Sequence, residues 1–245
     1  MKDHLPPLII VGSFPDRFNL SDLLQSNPIQ KNCSLTKEKY AGLDRHEIIM
    51  DGMAFELKQF NEAETENILQ QNSGATLFGS AAIQGSMGIG LWLGEHLKSG
   101  RHLPSINRAL LGIAKILGQA VSATHICWRP ARHSIDFGHF EEAVDDYLAG
   151  GPTPVLIQIA ITKNQNNALQ THGLNYFSNQ EITLAETSNM SESEAIKRLV
   201  RISHDIAING KIDNALEVDG LNKGEKITFR PSQNLSELTV QISAG

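Results

Sequence analysis

The chain has 245 residues, of which 40% are hydrophobic and 20% charged, and a formal net charge of -6. That length suffices for one large domain or two small ones with a proper core, and an acidic balance with no basic run excludes a broad electrostatic footprint for nucleic acid. No apolar segment approaches the roughly 20 residues of a membrane helix, and the run Leu8 to Val11 after Pro6-Pro7 is too short for a signal peptide, so the expectation is a cytoplasmic protein without a nucleic-acid or membrane partner.

In chain order, Leu8 to Phe14 is a β-prone run that Pro15-Asp16 ends, and a short helix is expected around Leu20 to Gln25, stopped at Asn27-Pro28. His46 to Met50 and Met53 to Phe60 flank Asp51-Gly52, a pair suited to a tight hairpin turn. Asn61 with Glu64 three residues later has capping spacing for a helix, and a strand is expected from Ala75 to Gln84. The segment from Gly85 to Gly90 lacks the Gly-Lys-Ser/Thr ending of a phosphate loop and the glycine spacing of a dinucleotide fingerprint. It reads as a glycine-rich connection or a close approach of backbone to the buried helix, with Leu91, Trp92 and Leu93 in the core or on a partner surface. Pro104 to Val121 carries apolar residues around much of its circumference, which marks a buried central helix.

Further on, Thr124 to Arg129 reads as a strand, Phe140 to Leu148 as a helix stopped at Gly150-Gly151, and Pro154 to Thr162 and Leu174 to Leu184 as two paired strands. Ser191 and Glu194 have capping-box spacing before a helix that Asn209-Gly210 stops, and strands at Ile227 to Arg230 and Leu238 to Ile242 close the chain, with Pro231 holding the former at an edge or an end. The order of elements predicts a single α+β domain over 1–245, with mixed or antiparallel sheets and helices on one face. Its halves, 1–100 and 122–245, can each be read as ferredoxin-like (split βαβ) around the buried helix 104–121. Cys33 and Cys127 are far apart, and reduced, buried thiols are expected in preference to a disulfide.

The chain from Thr76 onward resembles the bacterial domain-of-unknown-function family four-two-six-one. The resemblance is carried by Thr124-His125-Ile126-Cys127-Trp128, by the helix opening at Phe140, by the segment from Thr171 to Ile182, and by the closing run Gly224 to Ser232. Ala75-Thr76 stands where that family tends to have a histidine. The resemblance implies no activity, and no cofactor is expected.

The densest group of reactive side chains runs from Cys127 to Phe140. Arg129 and Arg132 offer forked donors to a carboxylate or phosphate, Trp128 an apolar wall, and a helix beginning near Phe137 its backbone N–H groups, so Trp128, Arg129, Arg132 and His133, with His172 from a second loop, are candidate ligand-binding residues. Against an anion stand the acidic Glu141, Glu142, Asp145 and Asp146 further along that helix. His133, Asp136 and His139 are the alternative metal set, although on one continuous helix the outer two would diverge by about 120°. The plainer alternative makes Asp136 a helix cap and pairs Arg129 and Arg132 with Glu141, Glu142 or other surface carboxylates. Cys127 and His125 share a strand face without forming a convincing nucleophile pair, and Glu181 reads as an exposed alternate position. No catalytic residue is assigned. The expected function is a non-catalytic protein-interaction or accessory module with a protein partner. The alternatives are a small-ligand or anion-binding domain using the 128–139 loop, and a metal-dependent hydrolase.

Overall fold

The computed structural model describes residues 5–14, 19–31, 33–36, 45–71, 76–77, 86–185 and 190–243. The fold is α+β, and the chain divides into two compact units, Met1–Pro154 and Val155–Gly245. Among the described residues no helix is long and apolar enough to cross a membrane.

The first unit contains β1 (Leu8–Gly12), α1 (Leu20–Leu24), α2 (Asn27–Gln30), β2 (Ser34–Thr36), β3 (His46–Met50), β4 (Met53–Phe60), α3 (Glu62–Gln71) and β5 (Thr76–Leu77). It continues with β6 (Met87–Leu93), α4 (Pro104–Ala120), β7 (His125–Trp128), β8 (His133–Asp136) and α5 (Phe137–Leu148). The strands form one sheet in the order β2-β3-β4-β6-β1-β7-β8-β5, antiparallel except where β5 lies beside β8. Asp51 and Gly52, both at positive φ, make the expected β3–β4 turn. Asn61 and Glu64 cap α3 reciprocally, each backbone N–H meeting the other's side chain.

Both faces of this sheet are dry around β1, whose five residues are all buried. On one face Ile9, Val11, Phe60, Trp92 and Cys127 cluster with Ile68 of α3. On the other, Leu8, Ile10, Ile126 and Ile135 are fully buried, as are Leu110, Ile113 and Leu117 of α4, the helix expected at 104–121. Pro104 occupies the first turn of α4, where its missing N–H costs no helical bond. Of the segment expected to be a glycine-rich connection, Met87 to Gly90 is instead the start of the central strand β6, and Gly85 lies outside the described residues. Gly90 explains why glycine is needed there: a Cβ would sit 2.7 Å from Phe60 and 2.9 Å from both Pro6 and Trp92. The close approach is to those rings and not to the buried helix. Of the strand expected at Ala75 to Gln84, only Thr76–Leu77 falls within the described residues. Asn27-Pro28 opens the further helical turn α2 and does not end helical structure, because proline is tolerated at a first turn.

The second unit contains α6 (Val155–Gln158), β9 (Ala160–Lys163), β10 (Leu169–His172), α7 (Asn175–Ser178), β11 (Glu181–Leu184), α8 (Glu192–Asn209), β12 (Leu216–Asp219), β13 (Lys226–Pro231) and β14 (Glu237–Ser243). Its sheet order is β12-β13-β14-β11-β10-β9, with β11 and β14 parallel and the other neighbours antiparallel. Here the faces differ: Leu238, Val240 and Ile242 of β14 are buried while Glu237, Thr239, Gln241 and Ser243 are exposed. The apolar row continues through Ile227 and Phe229 of β13 toward α8, whose Ile202 and Ile206 face it across a shared groove. The Ser191–Glu194 capping box and the stop at Gly210 are as expected.

Two expectations are corrected in this unit. Pro154 to Thr162 is not one strand but the helical turn α6 followed by β9, a short apolar run being compatible with either conformation. Leu174 to Leu184 is α7 followed by β11, because the Glu181 carboxylate gathers the backbone N–H groups of Gly173, Leu174 and Asn175 into a turn. The ferredoxin-like halves are not confirmed: β1 sits between β6 and β7 in the eight-stranded sheet, and β14 between β13 and β11 in the six-stranded one.

Candidate functional site

The segment from His125 to His139 is a β7–β8 hairpin running into α5, and alternation along its strands decides what its side chains reach. Trp128 and His133 pair across the hairpin and are both 1% exposed, on the same face as the buried Ile126 and Ile135. His125, Cys127 and Asp136 belong to the opposite face, by the pairing of His125 with Asp136 and of Cys127 with Ile9. The candidates Trp128, Arg129, Arg132 and His133 therefore do not form one exposed group. Trp128 and His133 are core residues. Arg129 donates from Nη1 to the Pro6 carbonyl at 3.2 Å, and burial lowers the pKa of its guanidinium, with Cys127 opposing. Arg132 is exposed at φ 54°, closing a 3-10 turn from Arg129 to Ala131 with its N–H on the Arg129 carbonyl. His172 lies in the second unit on β10, with Nε2 2.9 Å from Thr162 Oγ1.

The same alternation separates the metal set. His133 and Asp136 point to opposite faces of β8, and among the described residues no three histidine, cysteine, aspartate or glutamate side chains gather as a metal group. Asp136 caps α5, accepting from Gly138 N–H at 2.9 Å and His139 N–H at 3.4 Å. Burial raises its carboxyl, but the His139 and Gly138 hydrogen bonds and the neighbouring His125 outweigh that and hold it below the usual range. His125 is shifted the other way: burial favours its neutral form, and Asp136 only partly compensates. Glu141 meets Gln119. Both thiols are buried and not joined in a disulfide, and burial, with Asp51 adding to it, pushes Cys33 up to about 11.

A groove of about 730 Å³ crosses the first unit between the β3–β4 turn and α4, lined in part by Met50, Met53, Arg108, Gly112 and Lys115. Its volume falls within the range of small-molecule sites, about 300–1,000 Å³. Its cations, however, are already committed: Arg108 donates to the Tyr147 carbonyl at 2.6 Å and to the Leu148 carbonyl, and Lys115 pairs with Asp145. A ligand acid would have to displace these partners.

The more distinctive surface is in the second unit, where β12 is an edge strand with β13 as its one neighbour among the described residues. Cross-strand register places Leu216 opposite Phe229 and Val218 opposite Ile227, so both leucine and valine belong to the apolar row. That row outruns α8. Leu216, Val218 and the following Leu221 are 39%, 40% and 49% exposed, and Val218 and Leu221 line a groove of about 190 Å³ together with Ile202, Ile206 and Ile212. The Gly220 N–H donates to the Glu225 carbonyl at 2.7 Å. Hydrogen-bonded and non-bonded pairs alternate in an antiparallel ladder, so Leu216 and Val218 turn their backbone groups to β13 while Glu217 and Asp219 turn theirs outward.

What holds this edge is a buried ion pair. Arg198, on the buried side of α8, donates from Nε and Nη2 to both oxygens of Glu225, the shortest contact being 2.7 Å. Leu221 N–H and Asn222 Nδ2 fill the remaining acceptor positions of that carboxylate at 3.0 Å each. The hydrogen bonds from Arg198 hold Glu225 below the ordinary carboxylate range, and Glu225 in turn raises Arg198. The β12–β13 turn is thus tied to α8 through one carboxylate. Glu181 of β11, read from sequence as exposed, plays a similar role within the same sheet: it accepts from Thr171 Oγ1 and Gly173 N–H at 2.7 Å, and its carboxyl is raised chiefly by burial, against the pull of those hydrogen bonds.

Sequence reasoning did not find β12 or the Arg198–Glu225 pair. The signals were present: Leu216-Glu217-Val218-Asp219 alternates, and Arg198 falls on the apolar face of α8 beside Leu199, which requires a buried acid to meet it. Among known proteins, no family model, curated protein or solved structure matches the chain.

Proposed function

We propose that this protein is a non-catalytic protein-interaction module, and that its docking element is the edge of β12. The observation that carries this reading is the coincidence, on one strand, of outward-facing backbone donors and acceptors at Glu217 and Asp219 with exposed apolar side chains at Leu216 and Val218. Backbone groups at a free edge supply the affinity of strand addition, and alternate side-chain contacts supply its selectivity. The 190 Å³ groove beside the strand is smaller than a small-molecule site but matches one or two apolar side chains of an added strand.

The test uses Glu217→Pro. Because the Glu217 N–H faces away from β13, proline there removes no bond of the existing ladder and blocks a new one. Segments selected from a displayed peptide library against the full chain are expected to bind the wild type and to lose binding to Glu217→Pro, and to slow amide exchange at Glu217 and Asp219. Selected segments that bind both proteins equally, or that leave those two amides unprotected, would remove the reading.

A further inference from the structure

Resting on that reading of the β12 edge, we infer that its partner is an extended segment in which apolar residues alternate with basic ones. The two faces of β12 have opposite chemistry. Leu216 and Val218 continue the apolar row, so residues of an added strand that lie beside them are apolar. Glu217 and Asp219 occupy the wet face, and the next strand inward presents Lys226 and Arg230 on that same face, with Lys226 Nζ 2.7 Å from Asp219 Oδ1. Lys226 is also raised by Glu217, so one lysine answers two carboxylates there. The rows run basic on β13, then acidic on β12. A strand added outside β12 completes the ladder with Lys or Arg opposite Glu217 and Asp219, since opposite charges directly across a pair stabilise it and like charges destabilise it.

The same two carboxylates argue against a second copy of this chain as the occupant. Antiparallel pairing of two β12 strands about a two-fold normal to the sheet sets residues of like parity opposite each other. Glu217 would then face Glu217 or Asp219 of the other copy. An acidic partner segment meets the same repulsion.

The experiment measures binding of the full chain to three short synthetic peptides that alternate valine with lysine, glutamine or glutamate, by fluorescence anisotropy at low salt. The lysine peptide is expected to bind roughly threefold or more tightly than the glutamine peptide, and the glutamate peptide more weakly than either, with the preference shrinking as salt is added. The double variant Glu217→Gln, Asp219→Asn is expected to bind all three alike. Equal affinities in the wild type, with binding still lost in Glu217→Pro, overturn the charge inference and leave edge pairing standing. Failure of all three peptides to bind overturns both. A wild-type dimer in sedimentation that Glu217→Pro dissociates also overturns the inference, because the edge then belongs to a second copy.

Discussion

The two sheets differ in how many of their faces are dry. Around β1 the first sheet is buried on both faces, and its polar side chains are drawn into core positions such as His133 or cap positions such as Asp136. The second sheet is dry on one face only, and α8 is not wide enough to cover that face as far as β12. Its irregular turns are held by single carboxylates, Glu181 and Glu225, each engaging several donors. A dense cluster of reactive residue types in the sequence is therefore not one cluster on the surface, since Trp128 and His133 are buried in the closed sheet. In the second sheet an apolar row outruns its cover and stays exposed at Leu216 and Val218.

That contrast can be broken most forcefully at Glu225. Glu225→Ala strands Arg198 in the core, and breaking a buried pair in this way costs about 3–5 kcal/mol. Amide exchange should accelerate across residues 216–229, while fluorescence of Trp92 and Trp128, both in the first unit, keeps its native spectrum. Unchanged exchange in that stretch would show that the edge does not depend on the pair. Replacing both partners by apolar residues, Arg198→Met with Glu225→Leu, is expected to recover much of the loss.

A smaller effect is expected from Gly90→Ala in the closed sheet. The new methyl meets Phe60, Pro6 and Trp92, and overpacking of this kind costs about 1–3 kcal/mol. The midpoint of tryptophan-monitored denaturation should fall, with exchange at 216–229 untouched; a midpoint equal to that of the wild type would mean that the face around β6 is looser than described.

The mildest effect is on acid stability. His125 is held neutral in the folded first unit, so on acidification the unfolded chain takes up that proton first and stability declines from the ordinary imidazole value of 6.5 downward. Glu225 is depressed, so its contribution is complete above the ordinary carboxyl value of 4.5 and is lost as pH falls toward its lower folded value. Glu181, raised by burial, acts with the opposite sign and in a higher interval: it adds stability as pH falls from its raised folded value to 4.5. Tryptophan-monitored stability should thus begin to fall at higher pH than exchange protection in the second unit, and His125→Gln should flatten the upper part of that decline. A first unit whose stability is level from pH 6.5 to 5 would contradict this ordering.

Much of the fold was legible where local chemistry and tertiary packing agree. The Asp51-Gly52 turn, the reciprocal caps at Asn61 and Ser191, and the apolar helix after Pro104 were all readable because backbone geometry or a nearby side chain dictates them. The misreadings fall where a distant group decides. Glu181 bends Gly173 to Asn175 into a turn that an apolar run conceals, and the rings of Phe60 and Trp92 make a strand of a glycine-rich segment. How the candidate residues divide between faces was hidden for a different reason: composition marks which residue types are present, whereas parity along β7 and β8 sorts Trp128 and His133 from Asp136. That hairpin was not foreseen, because Arg129-Pro130-Ala131 turns the chain without a glycine.

In the first sheet the earliest strand, β1, lies in the middle; in the second it is the last, β14, that joins β12 and β13 to β11, β10 and β9. On the ribosome this makes the two sheets mature by different routes. The first gathers around a strand already made, whereas the two parts of the second remain without a common ladder until Glu237–Ser243 has emerged. The β12 edge joins a complete six-stranded sheet only at that moment, when the apolar rows of β13 and β11 are first bridged through β14.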